Sequence, residues 1–292
     1  MNINQLKYFN AICEHKTISA AAEHLFVSQP TISNAIKELE DEFGIVLFKR
    51  QHTGAALTPA GDTLLSMSSD LLGRMSRIES IMTDMGKGRK ILRLGVPPMI
   101  GSMILPQIYR DFVPKNSEIS IEITEGGKSE LSEKLKNNYL DMIFLSHNEP
   151  LENCFLAQKV GTLEIVCCVS NKNPLSRSAH ITPDDLKNIP LVLFKNSFFQ
   201  TDAIKKMFAE AGITPLVVMQ TNQLSSLLTL ISNNTATGFL FRPLAENSLE
   251  YTPVSLNKPL LADISLVRSK NTYCSEGMKK FEAYVEQAQL FK

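Results

Sequence analysis

The fold of the N-terminal region is decided by residues 19–44, which read SAAAEHLFVSQPTISNAIKELEDEFG. A run of small residues precedes Ser28, a good helix N-cap, and Pro30, which fits a first helical turn because its missing N–H needs no partner there. Apolar residues then recur at spacings of four, three and four until Gly44 ends the helix, and they are Ile32, Ile36, Leu39 and Phe43. The pattern predicts two helices joined by a tight turn, the second of them amphipathic.

The flanking segments complete a small domain. Residues 4–14 have the apolar spacing of one more helix. Residues 45–50 and a segment that ends at Leu57 read as two short strands around a polar, glycine-containing turn. Three helices and a hairpin make a winged helix-turn-helix, which we place in residues 1–58.

The polar side of the third helix predicts a DNA-reading surface. When the apolar stripe faces the core, amide, hydroxyl and ammonium groups point outward from Gln29, Ser33, Asn34 and Lys37. A major-groove helix needs such groups, for base edges and for phosphates. Each residue alone could simply be a solvated helix residue. Together with the small-residue helix before them and the basic pair Lys49-Arg50 after them, they favour DNA binding.

A long helix is predicted from residue 58 to residue 85. Apolar residues recur in it every seven positions, which is typical of a coiled-coil seam, and they are Leu64, Leu71, Ile78 and Met85. The alternative is a helix that packs on its own domain. We favour dimerisation, because a narrow apolar seam with polar flanks suits a partner helix. Residues 86–90, which read GKGRK, are then a hinge.

From residue 91 onward, strand-like runs alternate with amphipathic helices. The strand-like runs cover residues 91–96, 119–124, 142–145, 163–169, 191–194, 217–220, 238–241 and 264–268. This order predicts an α/β fold with parallel sheets covered by helices. The segment is large for one such sheet, so we expect two similar lobes with a cleft between them. We place lobe I at about residues 91–161 and 267–292, and lobe II at about residues 162–266.

Composition restricts the functional class. The 292 residues are 43% hydrophobic, with 30 Lys+Arg against 30 Asp+Glu, and no window approaches a membrane span. The start of the chain lacks a secretory pattern, and the five cysteines form no CxxC pair, so we expect a cytoplasmic, reduced protein. The five histidines have no metal-ligand spacing. We expect no metal, no cofactor, no membrane association and no enzymatic activity.

The zero net charge holds for the N-terminal region as well. Residues 1–90 contain ten basic and ten acidic residues, and four of the acids lie within residues 38–42, at the far end of the third helix. Neutrality therefore predicts weak non-specific DNA binding per subunit and a modest dependence on salt.

Several motifs together resemble the LysR-type transcriptional regulators. They are residues 19–33 with Ile36 and Leu39-Glu40, the wing segment 47–50, and the Leu-Thr-Pro-Ala-Gly run at 57–61. The resemblance covers the whole chain, and it implies DNA contacts by Gln29, Pro30, Thr31, Ser33, Asn34 and Lys37, with Arg50 in the wing. Lys49 is expected to contact DNA as the basic neighbour of Arg50. One departure concerns the wing, where the family often has a second basic residue and this chain has Thr53. His52 is adjacent and is expected to serve instead.

The resemblance also implies an effector-binding domain of residues 91–292 with the fold of periplasmic solute-binding proteins. Its ligand would lie between the lobes, against loops and helix N-termini, and the residues expected there are Pro98, Met99, Ile100, Gly101, Ser102, Gly127, Lys128, Ser129, Asn196, Ser197, Phe198, Thr221 and Asn222. Free N–H groups and two lysines, Lys128 and Lys195, suggest a small anionic effector such as a carboxylate. The alternative, that these lysines are solvated surface charges, is equally open.

Assembly follows from the same two sources. The seam in the linker region, which comprises the long helix and the hinge over residues 59–90, predicts a homodimer. The resemblance implies two dimers in a homotetramer, with RNA polymerase as a further candidate partner. Two other classes are weighed: an enzyme built on the α/β region, for which no nucleophile–base pair is visible, and a solute carrier, which the helix-turn-helix disfavours. Double-stranded DNA and a small-molecule effector are the expected ligands.

Overall fold

The computed structural model describes residues 1–51, 54–86, 90–270 and 272–291. The chain divides into two compact units, Met1–Glu79 and Ser80–Lys292. The first contains α1 (Ile3–His15), α2 (Ile18–His24), α3 (Gln29–Phe43), β1 (Phe48–Gln51), β2 (Gly54–Leu57) and most of α4 (Pro59–Met85).

The ends of these helices follow the cap residues in the sequence. Ser28 precedes α3, and its Oγ accepts a hydrogen bond from the backbone N–H of Thr31 at 3.3 Å. Gly44 ends α3 in the left-handed conformation, with φ of 63°, where a side chain would be strained. Ile32, Ile36 and Leu39 are buried in the core of this unit together with Phe9 and residues of α2. The predicted helix-turn-helix is confirmed.

The hairpin differs from the prediction at one end. The predicted strand began at Ile45, whereas β1 begins at Phe48, because the chain first follows the end of α3: the Glu40 carboxylate accepts the backbone N–H of Leu47 at 2.6 Å. Phe43 also departs from the predicted stripe, since 52% of its surface is exposed. β1 and β2 then pair antiparallel, as a wing does.

The start of α4 is tied to the wing through Thr58. The Thr58 hydroxyl donates to the Val46 carbonyl at 2.6 Å and accepts the backbone N–H of Gly61 at 3.1 Å. Gly61 packs so closely that a Cβ built there would lie 2.4 Å from the Leu47 carbonyl oxygen. Thr58 and Gly61 of the Leu-Thr-Pro-Ala-Gly run therefore fix the start of α4 against the segment that precedes β1.

The second unit alternates strands and helices as predicted. Its elements are β3 (Lys90–Val96), α5 (Pro98–Asp111), β4 (Ile119–Glu125), α6 (Lys128–Lys136), β5 (Met142–His147), β6 (Phe155–Ser170), β7 (Leu191–Phe194), α7 (Phe199–Glu210), β8 (Val217–Thr221), α8 (Leu224–Ser232), β9 (Gly238–Phe241), α9 (Arg242–Ala245), β10 (Tyr251–Val254), β11 (Leu260–Ser269) and α10 (Glu276–Ala288).

The sheets are mixed rather than parallel throughout. β3 pairs parallel with β4 and β5, and β7 pairs parallel with β8. β6 pairs antiparallel with β9, β10 and β11, and β11 pairs antiparallel with β5. The expectation of parallel sheets is thus correct for the pairs β3–β4, β3–β5 and β7–β8. It is wrong for the pairs formed by β6 and β11, because periodicity carries no information on strand direction.

Two long strands run through both lobes. β6 extends over 16 residues, far beyond the seven predicted, and pairs with β11 along its first eleven residues. The register shifts between Ile264 and Ser265. The predicted lobe boundaries at 161/162 and 266/267 therefore fall inside continuous strands. Lobe I contains β3–β5 with α5, α6 and α10, lobe II contains β7–β10 with α7–α9, and β6 and β11 connect them.

Candidate DNA-binding surface and ligand cleft

The exposed side of α3 carries all six residues predicted to contact DNA from that helix. Gln29, Pro30, Thr31, Ser33, Asn34 and Lys37 are exposed. The apolar positions between them are buried, so the six lie together on the face that the core leaves open. The helix thus presents two amides, two hydroxyls and one ammonium group to solvent, which is the chemistry that base edges and phosphates require.

The N-terminal end of this surface is ordered by side-chain hydrogen bonds. Ser19, on α2, donates from Oγ to Oε1 of Gln29 at 3.3 Å. The hydroxyls of Ser28 and Thr31 are 2.8 Å apart. Within the described part of the chain, the amide nitrogen of Gln29 has no hydrogen-bond partner. It is therefore available to donate to an acceptor outside the protein.

The wing residues are placed less completely. Lys49 is exposed on β1 and lies opposite Ala56 of β2. Arg50 lies in the same strand opposite Ala55, but the surroundings of its side chain fall outside the described residues. His52 and Thr53 fall outside them as well.

Three of the acidic residues near the end of α3 contact the protein itself. Glu38 accepts the side-chain amide of Gln5 at 3.2 Å, Glu40 accepts the N–H of Leu47, and Glu42 pairs with the N-terminal amino group. All three lie toward the C-terminal end of α3. The acids are therefore confined to the last six residues of α3, with Lys37 directly before them and Gln29 at the opposite end of the helix.

The predicted seam on α4 is exposed in its middle. Leu71 and Ile78 are 49% and 61% exposed, while Leu64 is half-buried against the helix-turn-helix core. The side chain of Met85 falls outside the described residues. Met67 and Met82 add exposed apolar surface on the same helix.

A cleft of about 600 Å³ opens between the lobes of the second unit. Four of the thirteen predicted effector contacts line it, namely Pro98, Gly101, Ser102 and Asn222. The other lining residues are Leu105, Pro106, Glu125, Gln223, Leu224 and Ser225. The first turns of α5 and α8 thus face each other across the cleft. Glu125 and Gln223 belong to the loops expected at the cleft, residues 125–129 and 221–223, although neither is among the thirteen predicted contacts. Leu105 and Pro106 lie one turn further along α5, where only the helical period could have indicated them.

Four predicted contacts support the cleft from inside the protein. The side chains of Met99 and Ile100 are buried in the core, and Phe198 packs on Phe194 with ring centroids 4.9 Å apart. Thr221 is also buried, and its Oγ1 accepts the backbone N–H of Gln223 at 3.0 Å. These residues position the lining instead of presenting side chains to a ligand.

The remaining predicted residues gather where the lobes touch. A Cβ at Gly127 would lie 2.5 Å from the carbonyl oxygen of Ser197, so lobe I and lobe II are in backbone contact there. Asn196, beside it, accepts hydrogen bonds from Lys205 at 2.7 Å and Gln220 at 3.2 Å. None of these residues lines the cleft, and neither do Lys128, Ser129 and Lys195, which start α6 and follow β7.

The electrostatics of this lobe contact centre on Asp202, in the first turn of α7. Partial burial raises the pKa of its carboxyl group, and nearby Lys205 and Lys128 oppose that rise. The two lysines thus have a carboxylate beside them.

Two classes of site are not found among the described residues. They contain no group of three or more His, Cys, Asp and Glu side chains arranged to hold a metal ion. No helix in the described ranges is both long and apolar enough to cross a membrane.

Comparison with known proteins identifies the family. Residues 3–62 match the model of the bacterial regulatory helix-turn-helix protein, lysR family, and residues 86–289 match the LysR substrate binding domain. The uncharacterized HTH-type transcriptional regulator YwbI of Bacillus subtilis (strain 168) is 30% identical over 243 residues, which are 82% of this chain and 80% of that protein.

Solved structures have the same fold. Full-length CbnR complexed with its target DNA has a TM-score of 0.66 at 22% identity, covering 99% of this chain and 100% of that one. The effector binding domain of QuiR in complex with shikimate has a TM-score of 0.60 at 21% identity, covering 69% of this chain and 98% of that one. The matched family consists of regulators rather than enzymes. This chain therefore belongs to the LysR family of DNA-binding transcriptional regulators, with an N-terminal helix-turn-helix and a C-terminal effector-binding domain.

Proposed function

We propose that the chain reads specific DNA sequences through the exposed side of α3, with Lys49 and Arg50 of the wing on the flanking phosphates. The observation that carries this is the common exposure of Gln29, Pro30, Thr31, Ser33, Asn34 and Lys37 around a buried apolar stripe. A gel-shift assay on the promoter next to the protein's own gene tests it, with and without metabolite extracts. Failure to bind DNA under both conditions would contradict it.

Replacing Gln29 with alanine should weaken binding to the preferred site by about 1–3 kcal/mol and relax the preference at one base pair, because a base-reading amide is lost. Fluorescence anisotropy with the preferred duplex and with single-base variants measures both effects. Asp41→Asn, at the other end of α3, is the control and should change the affinity for all duplexes alike. An equal loss on every duplex with Gln29→Ala would show that Gln29 does not read a base.

Self-association is proposed to run through α4. The support is an exposed apolar run on α4, formed by Met67, Leu71, Ile78 and Met82. Burying this surface against a partner helix removes it from water, which is favourable. Each neutral DNA-binding unit is only weakly attracted to the phosphates of DNA. Pairing two units would raise the overall affinity, because once one unit is bound the second binds the same duplex at a high effective concentration. A homotetramer made of two such dimers, a contact with RNA polymerase and a cytoplasmic location stay predictions.

Ile78→Glu should weaken self-association about tenfold or more, because the coiled-coil seam would have to bury one carboxylate from each subunit. Analytical ultracentrifugation over a concentration series measures the dissociation constant. Ser66→Glu, at an exposed position of the same helix outside the seven-residue repeat, should leave it unchanged. If Ser66→Glu weakens self-association as strongly as Ile78→Glu, the seam is not the interface.

The effector is proposed to bind in the cleft between the lobes as a small carboxylate. In support, the first turns of α5 and α8 both line the cleft. The side chain of Gln223, the N-cap of α8, accepts the Ser226 hydroxyl at 2.9 Å but no backbone N–H of the helix end. Free N–H groups at a helix N-terminus favour an anion. The complex of the similar QuiR domain with shikimate supports a small organic ligand. Effector binding would change transcription through a different affinity for two conformations of the protein.

A further inference from the structure

The lining of the cleft has an unexpected charge. Glu125, at the end of β4, is the one charged residue among the ten described residues that surround the cavity. The other polar groups are the hydroxyls of Ser102 and Ser225 and the amides of Asn222 and Gln223. A purely anionic ligand in this cavity would therefore meet a carboxylate and, among the described lining residues, no basic side chain to balance it.

Glu125 lies where its charge acts on a ligand in the cavity. Its Oε1 lies 3.5 Å from the place where a Cβ on Gly101 would be, so the carboxylate lies against the first turns of α5. Glu125 is exposed to the cavity side of the strand, and within the described ranges it has neither a hydrogen bond nor an ion pair. A carboxylate at the rim of a cavity repels anions and attracts cations.

Nearby lysines are directed elsewhere. Lys205 donates to Asn196 at 2.7 Å, and Lys128 and Lys205 both lie close to the Asp202 carboxylate. Lys195 is exposed and absent from the lining. The lysines that the sequence suggested thus do not pair with Glu125, and its carboxylate stays open to a cationic group of a ligand.

We infer that the effector carries an ammonium group that faces Glu125. Together with the carboxylate of the proposed function, on which this inference rests, the ligand class is an amino acid or a similar amino-carboxylate. The ammonium pairs with Glu125, and hydroxyl and amide groups of Ser102 and Asn222 accept or donate the remaining hydrogen bonds. The volume of about 600 Å³ is in the range of small-molecule sites and leaves room for a side chain against Leu105 and Leu224.

Calorimetric titration of the full chain tests the inference with three sets of probes. The first is the common amino acids one by one, the second is the corresponding amines without the carboxylate, and the third is the corresponding acids without the amino group. Binding in the first set, with at least about tenfold weaker binding of the deaminated acid, is expected, because a charge-assisted hydrogen bond is lost. Binding of a deaminated acid as tight as that of its amino acid overturns the inference.

Glu125→Gln should weaken binding of the amino acid by about tenfold to a hundredfold, because the partner of the ammonium group loses its charge. It should strengthen binding of the deaminated acid, because the repulsion between the two carboxylates is removed. Glu122→Gln is the matched control, because Glu122 is on the same strand, three positions earlier, on the opposite face and near Arg93 at 3.9 Å. An identical response of the two variants overturns the assignment to Glu125. DNA binding in the gel-shift assay should be unchanged in both variants. Amines that bind as tightly as their amino acids would contradict the carboxylate of the proposed function and not the pairing with Glu125, so the two failures are distinguishable.

A second measurement does not require the natural effector to be among the probes. In a Cys154→Ser background, which removes the exposed native thiol, Ser102→Cys places a thiol in the cleft lining. A cationic methanethiosulfonate, with a trimethylammonium group, should modify this thiol about tenfold faster than an anionic one with a sulfonate group. Each rate is first divided by the rate at which the same reagent modifies a small free thiol in solution. Glu125→Gln should remove most of this preference. Equal rates for the two reagents with Glu125 present overturn the inference.

Discussion

Gly61→Ala should lower the free energy of unfolding of the DNA-binding unit by about 2 kcal/mol or more, although alanine in place of glycine normally stabilises a helix by about 1 kcal/mol. The reason is steric. A Cβ at Gly61 would lie 2.4 Å from the Leu47 carbonyl oxygen and 2.8 Å from a Leu57 methyl carbon, and the first of these is a backbone atom that also accepts the N–H of Thr58. The wing and α4 would have to move apart.

Urea denaturation followed by circular dichroism, together with the gel-shift assay, measures this loss. Ser66→Ala is the control, since it is an exposed position of the same helix and should be neutral or slightly stabilising. If Gly61→Ala were as stable as Ser66→Ala, the close packing of α4 against the segment before the wing would be wrong.

Gly127→Ala should weaken effector binding about tenfold or more while DNA binding persists. Gly127 has φ of −81° and ψ of 168°, which alanine adopts readily, so the effect comes from contact alone. The added methyl carbon would lie 2.5 Å from the Ser197 carbonyl oxygen and 2.6 Å from its hydroxyl oxygen. Relieving that overlap separates the two lobes at the edge of the cleft, and overpacking of this kind costs about 1–3 kcal/mol.

The experiment compares calorimetric titration of Gly127→Ala with that of Gly277→Ala. Gly277 lies in the first turn of α10, and a Cβ there would have its nearest neighbours at 3.7 Å, which is ordinary contact. The control should bind the effector as the parent does. Unchanged effector affinity in Gly127→Ala would show that approach of the lobes at Ser197 is not needed for binding.

The N-terminal unit could be predicted almost completely because its signals are local. Ser28, the apolar spacing of α3 and Gly44 each act within a few residues, so helix start, buried face and helix end follow from the sequence. Where a distant group decides, the prediction is wrong. The Glu40 carboxylate accepts the backbone N–H of Leu47, and β1 therefore begins at Phe48 instead of Ile45. The β-branched residues Ile45 and Val46 favour a strand and do not indicate this contact.

The effector-binding unit shows the same limit on a larger scale. The order of strands and helices was readable from periodicity, but the antiparallel return of β6 and β11 depends on pairing between residues about 100 positions apart. The cleft depends on it as well, since its lining joins α5 and β4 of one lobe to the start of α8 in the other. Lys128 and Lys195 carried the sequence argument for an anion, whereas the residue that faces the cavity is Glu125.

The place of β11 between β5 and β6 has a consequence for synthesis of the chain. β5 ends at His147, and its antiparallel neighbour starts at Leu260 and is followed by α10. A ribosome that adds about 5–20 residues per second needs on the order of ten seconds to make the segment in between. By the end of that time every strand of lobe II has been synthesised, while the nascent lobe I still has an open strand edge. Lobe II can therefore begin to form before lobe I is complete, and a chain interrupted before residue 260 would expose an unpaired, apolar edge of the kind that aggregates.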